Sequence, residues 1–173
     1  MPDRGAQLEP LLPALRRYAW ALCRDESAAD DLVQECLERA LSGWAQRRPD
    51  GALRAWLFAI LHNSFVSARR RTARHGIHQS LDEHGADLPV QAPQDAAAGV
   101  RDVLAALDLL PDDQRAVLLL VGVEELTYQE AARVLDVPLG TVMSRLSRGR
   151  ERLRRIMDGD RAAIAAFALR RVK

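Results

Sequence analysis

Residues 126–155, LTYQEAARVLDVPLGTVMSRLSRGRERLRR, gather the side chains best suited to grip an anionic polymer. Six arginines and a single acid, Glu151, stand between positions 145 and 155, so few of these guanidiniums find a carboxylate one helical turn away. A guanidinium fork holds phosphate oxygens in pairs and takes both major-groove acceptors of guanine. Helical register sorts the segment into two faces. Val142, Leu146, Leu153 and Ile156 share one, whereas Ser144, Arg145, Arg148 and Arg152 share another. Upstream, Thr127 and Glu130 have the spacing of a capping box, which satisfies backbone donors at a helix start. The short helix over 128–135 carries Ala131 and Ala132, small enough for a second helix to pack closely. Asp136 and Pro138 then break it. A longer helix is expected from about Gly140. Helix, turn and helix, with an apolar inner face and an Arg/Ser outer face, make a reader of duplex DNA. The bland alternative is an amphipathic helix with a solvated charged face, and the scarcity of acidic partners speaks against it.

Other residues with chemical potential lead nowhere comparable. His75 and His78 form an HxxH pair beside Gly76, but nothing completes a metal set, and a solvated loop is expected. Cys23 and Cys36 are the two cysteines, neither in a CxxC pair, and both fall in helical patterns. Buried free thiols and a reducing cytoplasm fit them. No nucleophile elbow or phosphate loop is present, so we expect no enzyme, no cofactor and no small-molecule substrate. No apolar run approaches the ~20 residues needed to span a bilayer, and no signal peptide opens the chain. A cytoplasmic protein without membrane insertion is expected.

The net charge of +1 conceals a strong partition. Residues 24–39 hold six acids against two arginines, whereas 69–74 hold four arginines and no acid. Separated acidic and basic surfaces suit a protein partner on one side and nucleic acid on another. Lysine occurs once, at Lys173, and arginine supplies the other 24 of the 25 basic residues, a bias that a GC-rich genome explains.

The elements that must position these groups are all helical, with no alternating run that argues for a strand. Leu8, Leu12, Leu15, Ala19 and Leu22 predict a first amphipathic helix. Leu32, Val33, Cys36, Leu37, Ala40, Leu41 and Trp44 predict a second, opened by Asp30 and Asp31 where the helix dipole favours acids. After a turn at Pro49, a third helix over about 53–74 places Leu57, Ile60, Leu61, Phe65 and Ala68 on its inner side. Residues 75–98 contain Pro89, Pro93, two glycines and four acids with no lysine or arginine, the composition of a linker. Helicity resumes with Val103, Leu104 and Leu107. Pro111, Asp112 and Asp113 open the next helix, whose core is residues 117–121. The expected fold is all-α: two small helical domains, 1–74 and 99–158, joined by a flexible acidic linker at 75–98. The second is a four-helix domain with the helix-turn-helix, and 159–173 forms a tail.

Three blocks in this order resemble the sigma-70 family, specifically its extracytoplasmic-function (ECF) group. DDLVQECLERAL at 30–41 resembles the segment that grips the polymerase clamp helices. LRAWLFAILHNSFVSARRR at 53–71 resembles the promoter-melting and minus-10 helix. ALDLLPDDQRAVLLL at 106–120, with the helix-turn-helix, resembles the minus-35 reader. The resemblance covers residues 11–157. It implies an alternative sigma factor that directs core RNA polymerase to specific promoters in response to stress or another signal.

The resemblance also implies roles for residues. Asp31, Gln34, Glu35 and Glu38 would bind core polymerase, whose clamp helices and flap are the expected contacts. Asn63 would accept an unstacked minus-10 base, since an amide both donates and accepts. Arg54, His62, Arg69, Arg70, Arg71 and Arg74 would lie along the same melted strand. Trp56 and Phe65 are stacking candidates, although their place near the apolar stripe favours the core. Thr141, Ser144, Arg145, Arg148, Arg150 and Arg152 would contact minus-35 DNA. Met143 and Ser147 depart from common residues of the family and leave the exact minus-35 sequence open. Asp82, Glu83, Asp87 and Asp95 would let the linker lie on a basic polymerase surface. Promoter DNA and a separate anti-sigma factor complete the implied partners. Two rival readings are a conventional helix-turn-helix regulator acting without polymerase, and a sigma-like decoy that binds only proteins.

Overall fold

The computed structural model describes residues 3–47, 52–74 and 102–159, and among them every regular element is a helix. The linker expected at 75–98, with His75 and His78, lies outside the described residues, as does the tail beyond Gly159.

The first group begins with α1 (Arg4–Leu8), capped by Asp3, whose Oδ1 accepts from the Gly5 amide at 3.0 Å. The continuous first helix expected from its leucine spacing is interrupted. Glu9–Leu11 form a 3-10 turn before α2 (Leu12–Cys23), because Pro10 and Pro13 lack the N–H that an α-helix interior requires. Pro13 falls in the first turn of α2, where that donor is not needed. Helix α2 stops at Arg24 in a left-handed conformation, φ 55°.

The second helix, α3 (Glu26–Ser42), starts four residues before the expected Asp30. Asp25 is the true cap, accepting from the Ala28 amide at 2.7 Å, and Asp30 and Asp31 lie one turn inside. Ala29, Leu32, Val33, Cys36 and Ala40 are buried, but Leu41 is exposed. Trp44 sits in the following 3-10 turn with its ring edge-on to Trp56, centroids 6.1 Å apart. The long α4 (Leu53–Arg74) packs on α3 as its apolar stripe requires.

The second group comprises α5 (102–108), α6 (Asp112–Leu118), α7 (Tyr128–Leu135) and α8 (Leu139–Met157). Leu119–Val123 continue α6 as one π-helical turn. The capping box forms as its spacing predicts: the Glu130 amide donates to Thr127 Oγ1 at 3.2 Å, and the Thr127 amide donates to Glu130 Oε2 at 2.9 Å. Asp136 ends α7 in the left-handed region, φ 51°, and Ala131 is fully buried between α7 and its neighbours. Gly149 lets α6 approach α8, since a Cβ there would stand 3.0 Å from Leu118 Cδ1.

The two groups share one core. Helix α7 packs on α4, while α2 meets α6 and the π turn, and the buried cluster runs without a break from Leu8 to Ile156. This explains why α4 is buried over a wider arc than one stripe. Ala55, Leu57, Phe58, Leu61, Ser64 and Phe65 are all buried, whereas Ile60 and Ala68, expected inside, are only half-buried. Tyr18 and Phe58 meet edge to face at 5.3 Å in this core. Full burial of each such side chain contributes about 1.5–3 kcal/mol.

Candidate nucleic-acid and polymerase interfaces

Helix α8 is amphipathic as expected, with Val142, Leu146 and Ile156 buried and Leu153 half-buried. Its basic residues divide between two directions. Ser144 and Arg148 are exposed and coupled to each other: Arg148 Nε donates to the Ser144 carbonyl at 3.2 Å, and its NH2 reaches Ser144 Oγ at 3.3 Å. Arg150 is exposed, and Thr141 is half-buried with its carbonyl accepting from Ser144 Oγ at 3.0 Å. Arg145 and Arg152 instead turn towards α6. Arg145 Nε lies 3.1 Å from Asp113 Oδ2, and Arg152 NH1 donates to Gln114 Oε1 at 3.1 Å. Met143 and Ser147 are exposed and line a shallow groove with Tyr128 and Arg150.

On α4, Asn63, Arg70, Arg71 and Arg74 are exposed. His62 is not: its Nδ1 lies 3.1 Å from the Tyr18 hydroxyl. Burial, with Arg145 nearby, lowers its pKa to about 4. Arg69 NH2 donates to Asp112 Oδ2 at 2.7 Å while its guanidinium lies over the Phe65 ring. Phe65 is therefore core with one charged neighbour, and Trp56 is half-buried against Trp44. Neither is presented as an open stacking platform.

The acidic face of α3 is largely open to solvent. Asp31, Gln34 and Glu38 are exposed and Glu35 is half-buried. Gln34 Nε2 donates to Glu38 Oε1 at 3.2 Å, and Arg39 NH2 lies 2.6 Å from Glu35 Oε1. Asp31, Gln34, Glu35 and Glu38 thus form an acidic, hydrogen-bonding face along about two turns of α3.

Sequence reasoning missed the seam between the two groups. Glu124, at the end of the π turn, has a side chain only 1 % exposed. Arg17 of α2 donates Nε to its Oε1 at 2.7 Å and NH2 to its Oε2 at 2.8 Å. Arg54 of α4 donates NH2 to the same Oε2 at 2.9 Å. A desolvated carboxylate persists only with such company. Arg24 Nε pairs with Asp108 at 2.9 Å, and Arg115, almost fully buried, joins Asp108 and Asp112. Burial alone would raise the Asp112 carboxyl, but the Arg69 and Arg115 guanidiniums outweigh it and hold its pKa below the usual value. These partners are up to 107 residues apart, and no local pattern announces them.

The thiols have no part in these surfaces. Cys36 Sγ lies 3.5 Å from the Leu57 carbonyl, and burial pushes the Cys23 and Cys36 thiols up to about 11 and about 12. Among the described residues no group of side chains could hold a metal ion, and no helix is long and apolar enough to cross a membrane.

Comparison with known proteins names both halves. Residues 8–62 match the family model described as the Sigma2 domain of PhyR, and residues 101–153 match Sigma-70, region 4. Together they define a sigma-type transcription factor architecture. The chain is 38% identical over 151 residues to the ECF RNA polymerase sigma factor EcfG of Rhodopseudomonas palustris, covering 87% of this chain and 83% of that protein. It is 36% identical to the ECF sigma factor SigE of Mycolicibacterium smegmatis, covering 80% of this chain and 55% of that one. Its fold matches the sigma factor RpoE from Bartonella quintana, solved with the anti-sigma factor NepR, at a TM-score of 0.81 and 34% identity, over 92% of this chain and 99% of that one. A second match is CnrH, solved with the cytosolic domain of CnrY, at a TM-score of 0.68 and 25% identity, over 90% of this chain and 88% of that one. The chain belongs to the ECF group of RNA polymerase sigma factors.

Proposed function

We propose that the chain is a dissociable initiation factor in which residues 1–74 form the polymerase-docking and minus-10 domain and residues 99–158 the minus-35 domain. The acidic face of α3, carrying Asp31, Gln34, Glu35 and Glu38, docks on core RNA polymerase. Asn63 and Arg69, Arg70, Arg71 and Arg74, with Arg54 and His62, serve the melted minus-10 strand. Thr141, Ser144, Arg145, Arg148, Arg150 and Arg152 serve duplex minus-35 DNA. Phosphodiester synthesis belongs to the polymerase; binding energy alone opens the strands, at a few kcal/mol per extruded base. The observation that carries this reading is the outward Ser144–Arg148 pair on a capped helix-turn-helix, in a chain whose exposed acidic face lies on a different helix. The factor works in the cytoplasm, where the polymerase is.

The relatives solved with NepR and with CnrY support an anti-sigma partner for this chain as well. The test is reconstitution with bacterial core polymerase and transcription from the promoter immediately upstream of the protein's own gene. Specific transcripts that depend on the added protein are expected. Duplex binding without affinity for core would replace this reading with a conventional regulator.

A protein-binding decoy is the second reading, favoured by one observation. The first half matches a sigma2 domain of PhyR, a protein solved as an anti-anti-sigma factor complexed with NepR. Affinity for an anti-sigma factor combined with no core binding would establish it.

A further inference from the structure

We propose that Arg17 and Arg54 form a phosphodiester-binding site, and that Glu124 occupies it as an intramolecular stand-in for the phosphate. Both arginines belong to the first group, on α2 and α4, whereas the anion between them comes from the second, 107 and 70 residues away. The site is thus the property of one half and its occupant the property of the other. Arg17 grips Glu124 through a two-pronged fork at 2.7 and 2.8 Å, the arrangement in which a guanidinium takes two phosphate oxygens. The fit to carboxylate is incomplete. The two oxygens of Glu124 already receive three N–H groups, and Arg54 Nε is buried with no acceptor. A phosphodiester brings ester oxygens besides its two anionic ones and can satisfy that donor.

The backbone that delivers Glu124 is unusual. The Glu124 amide donates to the Leu119 carbonyl at 2.9 Å, five residues back, so the chain widens into a π turn immediately before the carboxylate. Glu125 follows at φ 53°, a left-handed conformation that a residue with a Cβ adopts at some cost. Such wide turns are rare and gather at functional positions. Along the same seam Asp112 covers Arg69 and Asp108 covers Arg24. Three acids of the second half therefore lie over four arginines of the first. Separation of the halves on a promoter would free Arg17 and Arg54 to take a backbone phosphate and would remove the competing acids together.

This inference rests on the reading of the chain as a promoter-binding factor and adds a residue, Arg17, and a competitor, Glu124, to it. The test is fluorescence anisotropy of a labelled 30-nucleotide single-stranded DNA of mixed sequence, titrated with the full chain across a salt series. Glu124→Gln is expected to tighten binding by about tenfold, because the occupied state no longer taxes the affinity. Its plot of log affinity against log salt should steepen by about 0.7 for each phosphate gained. Adding Arg17→Gln and Arg54→Gln to Glu124→Gln should return both quantities to the wild-type values. An unchanged affinity in Glu124→Gln, or a gain that survives loss of both arginines, would overturn the proposal. Displacement of the DNA by polyglutamate at equal charge would overturn it too, in favour of an acidic protein ligand. Should Glu124→Gln fail to fold, Arg17→Gln decides: Arg17 is half exposed, and in holoenzyme with core polymerase its loss should weaken DNA binding and flatten the salt slope. Wild-type transcription in the same reconstitution tests the sigma reading separately, since only the ratio of variant to wild-type DNA affinity bears on the site.

Discussion

The Tyr18 hydroxyl and His62 Nδ1 lie 3.1 Å apart, joining α2 to α4 inside the helix that the promoter reading assigns to melted DNA. Burial pushes the Tyr18 phenol far above its usual pKa, so it stays protonated and suits an unprotonated Nδ1. The imidazole is held neutral by the same burial, with the Arg145 charge adding to it, and its pKa falls to about 4.

A pH dependence of stability follows from the burial of His62, to which the Arg145 charge adds. Between the ordinary histidine value near 6.5 and about 4, the unfolded chain binds a proton that the native chain refuses. Stability therefore rises with pH across this window and is fully present above it. The loss on acidification to the lower limit is on the order of 2–3 kcal/mol. Urea unfolding at pH 7.5 and pH 5 should show the drop, and His62→Gln should flatten it. Parallel curves for the variant and wild type would remove His62 as the cause.

Two glycines of α8 should respond in opposite directions. Gly140 has open space where a methyl group would stand, so Gly140→Ala should stabilise by up to about 1 kcal/mol through helix propensity. Gly149 faces Leu118 and Gln114 across the α6–α8 contact, and Gly149→Val should destabilise by about 1–3 kcal/mol through overpacking. Thermal melts of the two variants test the close approach, and equal signs would contradict it.

Local features of the chain were legible in its sequence because they are made by near neighbours. The Thr127–Glu130 box, the left-handed Asp136 stop and the apolar face of α8 all follow from spacing within a few residues. The proline break between α1 and α2 was equally local, but the leucine period concealed it. Placement of the two groups against each other was not legible. It depends on Arg17, Arg54 and Glu124 meeting over 70 to 107 residues, and a charged residue carries no mark of a partner so distant. The same packing misled the reading of α4. A helix covered on two sides buries Phe58 and Ser64 as well as its main stripe. Within the candidate DNA surface, residue types were readable but orientation was not, since Arg145 and Arg152 turn to α6 while Ser144 and Arg148 face outward.

The acidic face of α3 offers a separable test. Among the described residues Glu35 and Glu38 are tied to neighbours on their own helix, Arg39 and Gln34, and such exposed pairs contribute little to stability. Glu35→Gln with Glu38→Gln should leave the melting curve nearly unchanged but weaken binding to core polymerase by about tenfold, because charge complementarity across an interface is lost. Affinity for promoter DNA by the free protein should be unaltered. Undiminished binding to core would move the docking surface off this helix.

Arg145 gives the most discriminating substitution in the recognition helix, because its present partner is known. It pairs with Asp113 at 3.1 Å and is only 26% exposed, so under the proposed minus-35 role it would exchange that carboxylate for a base edge or a phosphate. A guanidinium that takes both acceptors of guanine is worth about 1–3 kcal/mol of discrimination. Arg145→Ala should therefore lower transcription from minus-35-dependent promoters by about tenfold or more, with binding to core unchanged. Asp113→Asn should have the opposite sign, freeing the guanidinium and strengthening duplex binding by a few-fold, the range of a weak exposed pair. Reconstituted transcription and duplex titrations measure both. If the two variants changed duplex binding in the same direction, Asp113 would be positioning Arg145 for DNA rather than competing with DNA for it.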